Sequence, residues 1–219
     1  PRKVSSSPPM ILSALKTNVH NNQVYNLFRL ALLETAQGKQ FLFAPVGIDE
    51  AESVEMKVKF IEYCRKFFKR MNMNVKINIL GEGRAGDLGR SQILDEKIQS
   101  TIKFLEILQS PSKGTSDKQT NQNNAVEEVS PCQIEYKEIL IENAIEDCPH
   151  MIFAPDGVSG NLIYRTLVHL GNGKSYGAVY LREYIEDGLV IIDTSRVAPG
   201  FELLGALDIA LGLAALNKN

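Results

Sequence analysis

An α/β architecture is what this sequence predicts, and three observations predict it. Short β-prone runs alternate with longer segments whose apolar residues recur every three to four positions. Small and polar residues cluster where several of those runs end. The rhythm breaks only once, in a polar stretch over residues 109–131. Strands alternating with helices fold as a sheet with helices packed on it, and sites gather at the carboxyl ends of the strands. Of the 219 residues, 44% are apolar, enough for a substantial core in one domain or two small lobes.

Along the chain, Ser5-Ser6-Ser7-Pro8-Pro9 reads as an irregular lead-in or helix start, and Met10–Thr17 carries Ile11, Leu12 and Leu15 on one helical side. Val24–Leu33 and Gln40–Pro45 flank Gln37-Gly38-Lys39, a hairpin signal. Between Glu52 and Arg70 the apolar residues, from Val54 to Phe68, fall mostly at helical spacing among charges, which makes an amphipathic helix. Val75–Leu80 follows as a strand, Gly81–Arg90 as a glycine-rich loop, and Ser91–Leu108 as a second amphipathic helix. Residues 109–131 hold too few apolar side chains to offset their ordering entropy, so they read as an inserted mobile loop. Beyond it the alternation resumes: a helix from Glu138 to Ile145, a strand Met151–Ala154, a turn over Pro155–Gly160 and a helix Asn161–Leu170. The β-rich runs Tyr176–Leu181 and Leu189–Asp193 and an apolar helix Phe201–Leu216 close the chain.

The charge balance excludes several function classes. A net charge of −2 and a pI near 6.0 supply no general attraction to nucleic acid or to an anionic membrane. No apolar run approaches the ~18 residues of a bilayer span, and the opening residues lack the apolar stretch of a signal peptide. Three cysteines, Cys64, Cys132 and Cys148, with no CxxC pair fit a reducing, cytoplasmic setting. The chain opens without methionine and without a strand ahead of its first helix, which leaves a complete protein and a piece of a longer one equally open. His20, His150 and His169 are scattered, and Cys148-Pro149-His150 is no metal spacing, so no metal site is expected. Neither a GxSxG elbow nor a P-loop occurs. The acidic cluster Asp49, Glu50, Glu52 and Glu55 is expected to start and solvate a helix.

Three strand-to-helix loops could carry chemistry. Gly81-Glu82-Gly83-Arg84-Ala85-Gly86 satisfies GxGxxG after a predicted strand. It departs from the dinucleotide fingerprint because Asp87-Leu88-Gly89-Arg90 delays the helix, and the partner acid would fall near Glu106, inside a helix. Nicotinamide or S-adenosylmethionine binding of the ordinary kind is therefore not expected. The glycines Gly83 and Gly86 still let backbone amides approach an anion, with Arg84 and Arg90 supplying charge. A surface loop with solvated arginines is the alternative. In the second loop, Ser159, Gly160 and Asn161 lie where amides of a first helical turn could receive an oxyanion, or where Ser159 or Asn161 simply caps that helix. In the third, Ser195, Arg196 and Glu202 bring a hydroxyl, a guanidinium and a carboxylate within eight residues, either converging on a ligand or forming a local Arg196–Glu202 salt bridge.

The last seventy residues resemble the phosphotransacetylases and phosphotransbutyrylases, which exchange an acyl group between phosphate and coenzyme A. The resemblance is carried by Phe153-Ala154-Pro155-Asp156, Ser159-Gly160-Asn161-Leu162-Ile163-Tyr164, His169-Leu170-Gly171, Tyr176–Leu181 and Ile192-Asp193-Thr194-Ser195-Arg196, spaced words in the family's order. Ala44-Pro45-Val46-Gly47-Ile48-Asp49 and Gly83–Ser91 look closer to a methanogen branch of that superfamily, the methyltransferase-related proteins of MtxX type. The resemblance implies a three-layer α/β/α, isocitrate-dehydrogenase-like fold of two lobes, 23–188 and 1–22 plus 189–219, with a cleft between them and commonly a homodimer. It places the serine that steadies the substrate carbonyl on Ser195, the arginine that holds phosphate or oxyanion on Arg196, and the carboxylate that deprotonates the coenzyme A thiol on Glu202, where the family has aspartate. Gly83, Arg84, Gly86, Arg90, Ser159, Gly160 and Asn161 would grip coenzyme A or another phosphate-bearing ligand. A carboxylate of ordinary pKa is a poor base for a thiol unless burial raises it or a cation lowers the thiol. The family's glycine after Ser-Arg is Val197 here, and its further active-site arginines lie on an amino-terminal lobe that this chain mostly lacks. Two further readings stay open: a methyltransferase, or a partner of one, and a non-catalytic ligand sensor.

Overall fold

Phe28–Glu34 (β1) and Gln40–Ala44 (β2) pair antiparallel, Ala31 opposite Phe43 and Glu34 opposite Gln40. Gly38 turns the hairpin at φ +80°, a backbone conformation open to glycine without steric cost. These elements belong to a computed structural model that describes residues 27–110, 132–181, 190–195 and 198–216. The expected helix Met10–Thr17, most of the polar segment 109–131, and the residues Arg196 and Val197 lie outside the described residues. So do residues 1–22, on which the expected division into lobes turns.

Val75–Ile79 (β3), Cys132–Tyr136 (β4), Met151–Phe153 (β5), Lys174–Leu181 (β6) and Ile192–Asp193 (β7) complete one seven-stranded sheet, in the order β4-β3-β5-β2-β1-β6-β7. The first four in that order run parallel, whereas β1, β6 and β7 each run antiparallel to their neighbours. The carboxyl ends of β2, β3, β4, β5 and β6 therefore share one edge, where β1 presents its amino end.

Helices cover both faces. Val54–Arg70 (α1) starts at Ser53, whose hydroxyl accepts from the Met56 amide at 3.2 Å, and Gln92–Gln109 (α2) starts at Ser91 in the same way. Phe60, Ile61, Cys64 and Phe68 of α1 and Phe104 and Leu108 of α2 pack on Phe28, Ile77, Ile79 and Phe153, with Ile209 and Leu213 of Gly200–Leu216 (α5) against the same cluster. The opposite face, with Ala31, Phe43 and Ile152, is covered by Ile141–Glu146 (α3) and Gly157–Arg165 (α4). This is the three-layer α/β/α arrangement that the family resemblance implies.

Several boundaries differ from expectation. The strand β4 is absent from the sequence reading: Gln133 and Glu135 alternate with residues that are only partly buried, and an edge strand lacks the apolar run of a central one. The helix expected from Glu138 begins at Ile141, because Glu138 adopts φ +54° and Lys137 donates to the Ile79 carbonyl, spending those residues on a turn. The helix expected from Asn161 begins at Gly157, since Asp156 caps it through the Ser159 amide at 2.7 Å. A π-helical turn, Thr166–Leu170, then extends α4, closed by the Gly171 amide on the Thr166 carbonyl at 2.7 Å.

Candidate active site

Arg29 is the lone charge in an otherwise apolar strand start, and it sits at the amino end of β1 opposite Tyr180. Its Nε donates to Glu50 Oε1 at 2.7 Å, and its terminal nitrogens lie 3.6 Å from Asp49 and 3.7 Å from Asp193. Glu50 is buried, and its second oxygen accepts the amides of Val46 and Gly47 at 3.1 and 3.0 Å. The acidic cluster is thus divided: Glu55 opens α1, as expected, whereas Glu50 turns inward to clamp a loop and a guanidinium. Gly47 is required by that clamp, because a Cβ there would fall on the Arg29 guanidinium. Burial opposes the charge on Arg29, and the Glu50 carboxylate beside it outweighs that cost, so its pKa ends raised.

Beside this clamp a cavity of about 350 Å³ lies over β1 and β6. Its floor is small: Ala31, Val46, Gly177 and Ala178. Gly177 holds φ +95°, and a Cβ on it would press on Ile192. One wall comes from α4 and its π turn, with Asn161, Tyr164, Arg165 and His169; another comes from Asp193-Thr194-Ser195 and from Glu202 in the first turn of α5. Tyr180 closes the strand end, its hydroxyl 3.4 Å from Asp193, and its pKa is pushed up to about 12 by burial and by that carboxylate.

Ser195 and Glu202 meet as a hydrogen-bonded pair: the Ser195 amide donates to Glu202 Oε1 at 2.8 Å. Glu202 is only 3% exposed. Burial pushes its pKa up, offset in part by the Ser195 amide and by the facing His169, while Asp193 pushes in the same direction as burial. A raised carboxylate is what a thiol-directed base needs. Arg196, the third residue of that expected trio, lies outside the described residues.

The second loop reaches the cavity through Asn161, whose side-chain amide also ties α4 to the Val46 carbonyl at 2.9 Å. The cap is Asp156, neither Ser159 nor Asn161, and the Gly157 amide donates to the Glu50 carbonyl at 3.0 Å. Those donors of the first turn are therefore engaged within the chain. Gly160 serves close approach: a Cβ there would collide with the Pro45 carbonyl, and one on Gly157 with the Gly47 carbonyl.

The glycine-rich loop is not brought to this cavity. Gly83, Arg84, Gly86 and Arg90 are absent from its lining. The loop follows β3, three strands away from β1, or about 14 Å at ordinary strand spacing. Gly83 is buried against Ile98 and Leu94, and its carbonyl accepts from the Tyr136 hydroxyl at 3.3 Å. Three amides of the loop donate to carboxylates of this chain: Arg84 to Asp87, Ala85 to Glu138 and Gly89 to Asp95, at 2.8–2.9 Å. Arg90 pairs with Asp87 at 3.2 Å on the surface.

Sequence reasoning passed over Arg29, Tyr180, Arg165 and His169 as cavity residues. Only Arg29 left a signal, a charge within an apolar strand run. Among the described residues no group of three or more His, Cys, Asp or Glu side chains could hold a metal ion, and no helix is long and apolar enough to cross a membrane.

No protein-family model matches the chain. In sequence it is 36% identical over 190 residues to the "Putative methyltransferase mtx subunit X" of Methanosarcina barkeri, covering 87% of this chain and 60% of that protein. It is 33% identical over 177 residues to an uncharacterized methyltransferase of Methanocaldococcus jannaschii, covering 78% and 63%. The chain spans about three fifths of the length of the curated relatives it matches. Among solved structures, a phosphotransacetylase (EutD) from Staphylococcus aureus matches with TM-score 0.58 at 14% identity, covering all of this chain and 61% of that one. A branched-chain phosphotransacylase from Enterococcus faecalis matches with TM-score 0.55 at 15% identity, covering 88% and 65%. The chain thus has a phosphotransacetylase-like α/β fold, and in sequence it resembles the mtx subunit X proteins of methanogens.

Proposed function

We propose that the protein is a phosphotransacetylase-like transferase whose cavity receives a phosphate-bearing ligand, an acyl phosphate or coenzyme A. The observation that supports this reading is the Ser195–Glu202 pair: a buried carboxylate with a raised pKa, held by a backbone amide at the mouth of a long helix, in a cavity with arginines on its walls. In this reading Glu202 takes the thiol proton, Ser195 steadies the acyl carbonyl, and Arg196 neutralises the developing negative charge. Catalysis is positioning and electrostatic stabilisation. Arg84 and Arg90, at the same sheet edge, would meet the far end of an extended ligand such as coenzyme A. A cleft between two lobes, a homodimer and a cytoplasmic setting belong to the same proposal.

The names of the relatives favour a second reading, a methyltransferase or a protein associated with one. A third is a sensor that binds without turnover. Calorimetry with coenzyme A, acetyl phosphate and S-adenosylmethionine separates them. Binding of coenzyme A or acetyl phosphate, with acyl exchange that falls by about 100-fold or more in Glu202→Gln, supports the transferase. Heat with S-adenosylmethionine alone supports methyl transfer, and binding without exchange supports the sensor.

A further inference from the structure

Two helices of equal length differ on their outer faces. Val54–Arg70 (α1) carries eight charged residues, whereas Gly200–Leu216 (α5) carries two, Glu202 and Asp208. Glu202 is buried, so Asp208 is the only charged residue that α5 exposes. Around it Phe201, Leu203, Leu204, Leu207, Leu211 and Leu216 are 44–64% exposed. On the inner side Ala206 is buried, and Ile209 and Leu213 pack against the core cluster. A helix that is apolar all round belongs in an interior, and an exposed apolar surface of this kind marks a place where another surface sits.

Three observations select the occupant. Residues 1–26 precede Leu27, the first described residue, and the chain enters the fold at Phe28, which belongs to the cluster that Ile209 and Leu213 pack against. The helix α5 is roughly 25 Å long, and residues 18–26 can span up to about 30 Å when extended, so Met10–Thr17 is within reach of its outer face. That segment has Ile11, Leu12 and Leu15 on one helical side, and so short a helix does not hold itself together without packing. Residues 1–26 carry Arg2, Lys3 and Lys16 and no acidic residue, the sign of charge that complements Asp208. A second copy of the chain fits less well. Asp208 is the midpoint of α5, so a two-fold axis through the middle of that face sets Asp208 against its own copy, with no cation on either helix.

We propose that the outer face of α5 is a docking surface for Met10–Thr17 of the same chain, which lays Ile11, Leu12 and Leu15 across its leucines and brings Lys16 beside Asp208. Because Glu202 lies in the first turn of α5, the docked segment steadies the helix that carries the buried carboxylate of the cavity, whatever ligand the cavity takes.

The test uses the full chain with Cys132→Ser and Cys148→Ser, in which Leu15→Cys is combined in turn with Leu204→Cys, Leu207→Cys and Leu211→Cys. Each is treated with a short bismaleimide and read by mass spectrometry, with light scattering reporting the oligomeric state. Hydrogen exchange of the α5 amides in wild type and in Ile11→Asp/Leu15→Asp is the second measurement, and it needs no added cysteine. The expected results are a link within one chain in at least one of the pairs, and α5 exchange faster by about tenfold or more in the double aspartate variant, with the amides of β3 and β5 unchanged. A dimer in solution with links only between chains would overturn the proposal in favour of a second copy. No link in any pair, together with equal α5 exchange in wild type and variant, would overturn it by showing that the segment does not cover this face.

Discussion

The loop after β3 and the wall built by α4 both join a strand to a helix, and both are rich in glycine, yet the chain uses them in opposite ways. Gly81–Arg90 carries the more recognisable motif. Its amides are satisfied by Asp87, Glu138 and Asp95, its arginines face solvent, and it stays three strands from the cavity. The loop before α4 has no complete motif, but Gly157 and Gly160 let that helix press against the backbone of Pro45–Gly47, and this contact carries Asn161, Arg165 and His169 to the cavity. Glycine in the first loop gives conformational freedom at its surface end; glycine in the first turns of α4 permits close packing.

The largest effect that would sharpen this contrast is at Gly160. Gly160→Val drives a side chain into the Pro45 carbonyl, with no flexible neighbour to yield, and should cost on the order of 4 kcal/mol or prevent folding, read from urea denaturation. Arg29→Ala comes next. It leaves buried Glu50 with its backbone donors but without its cation, and should lower stability by roughly 3 kcal/mol, as removal of one partner of a buried pair does. A loss under about 1 kcal/mol would show that the clamp is dispensable.

The two ends of β1 make a third test, through pH. At the cavity end, Glu202 has its pKa raised by burial, so the folded state holds that proton more tightly than the unfolded chain. Stability falls as pH rises from the ordinary carboxylate value through the raised one, and Glu202→Gln should flatten that fall. At the other end, Lys174, Gln40 and Tyr176 hold Glu34 down at about 2. Its contribution is complete above about pH 4.5 and is lost as pH falls towards 2, so Glu34→Gln should flatten the acid limb instead. Urea midpoints measured from pH 2 to 8 check both signs. The smallest effect is expected at Gly86→Ala in the glycine-rich loop, where a Cβ meets nothing within 4 Å: a change within about 0.5 kcal/mol. A large loss there would break the contrast by showing that this loop, too, is tightly packed.

Much of the fold was legible because burial imposes a period. Apolar residues at helical spacing marked α1 and α2, the Gln37-Gly38 turn marked the β1–β2 hairpin, and β3, β5 and β6 read as short apolar runs. The edge strand β4 was not legible, since its residues are only partly buried and form no continuous apolar run. Within the site, Ser195, Arg196 and Glu202 within eight residues left convergence and a local Arg196–Glu202 salt bridge both open, and the structure joins Ser195 and Glu202 by one hydrogen bond. Tyr180 and Arg165 were out of reach, and Arg29 left only an isolated charge in a strand, because the three come together only when β1, β6 and α4 are stacked.

Local patterning, then, is enough to give this protein its alternating elements and its capped helices, because propensity and hydrophobic period act over a few residues. Which loop faces the cavity, which arginine is neutralised and which is left unpaired, and which carboxylate is driven up in pKa depend on contacts between residues far apart in the chain, such as Arg29 and Asp193, 164 positions from one another. Those follow from strand order and from the close approaches that two glycines permit, which no local pattern encodes.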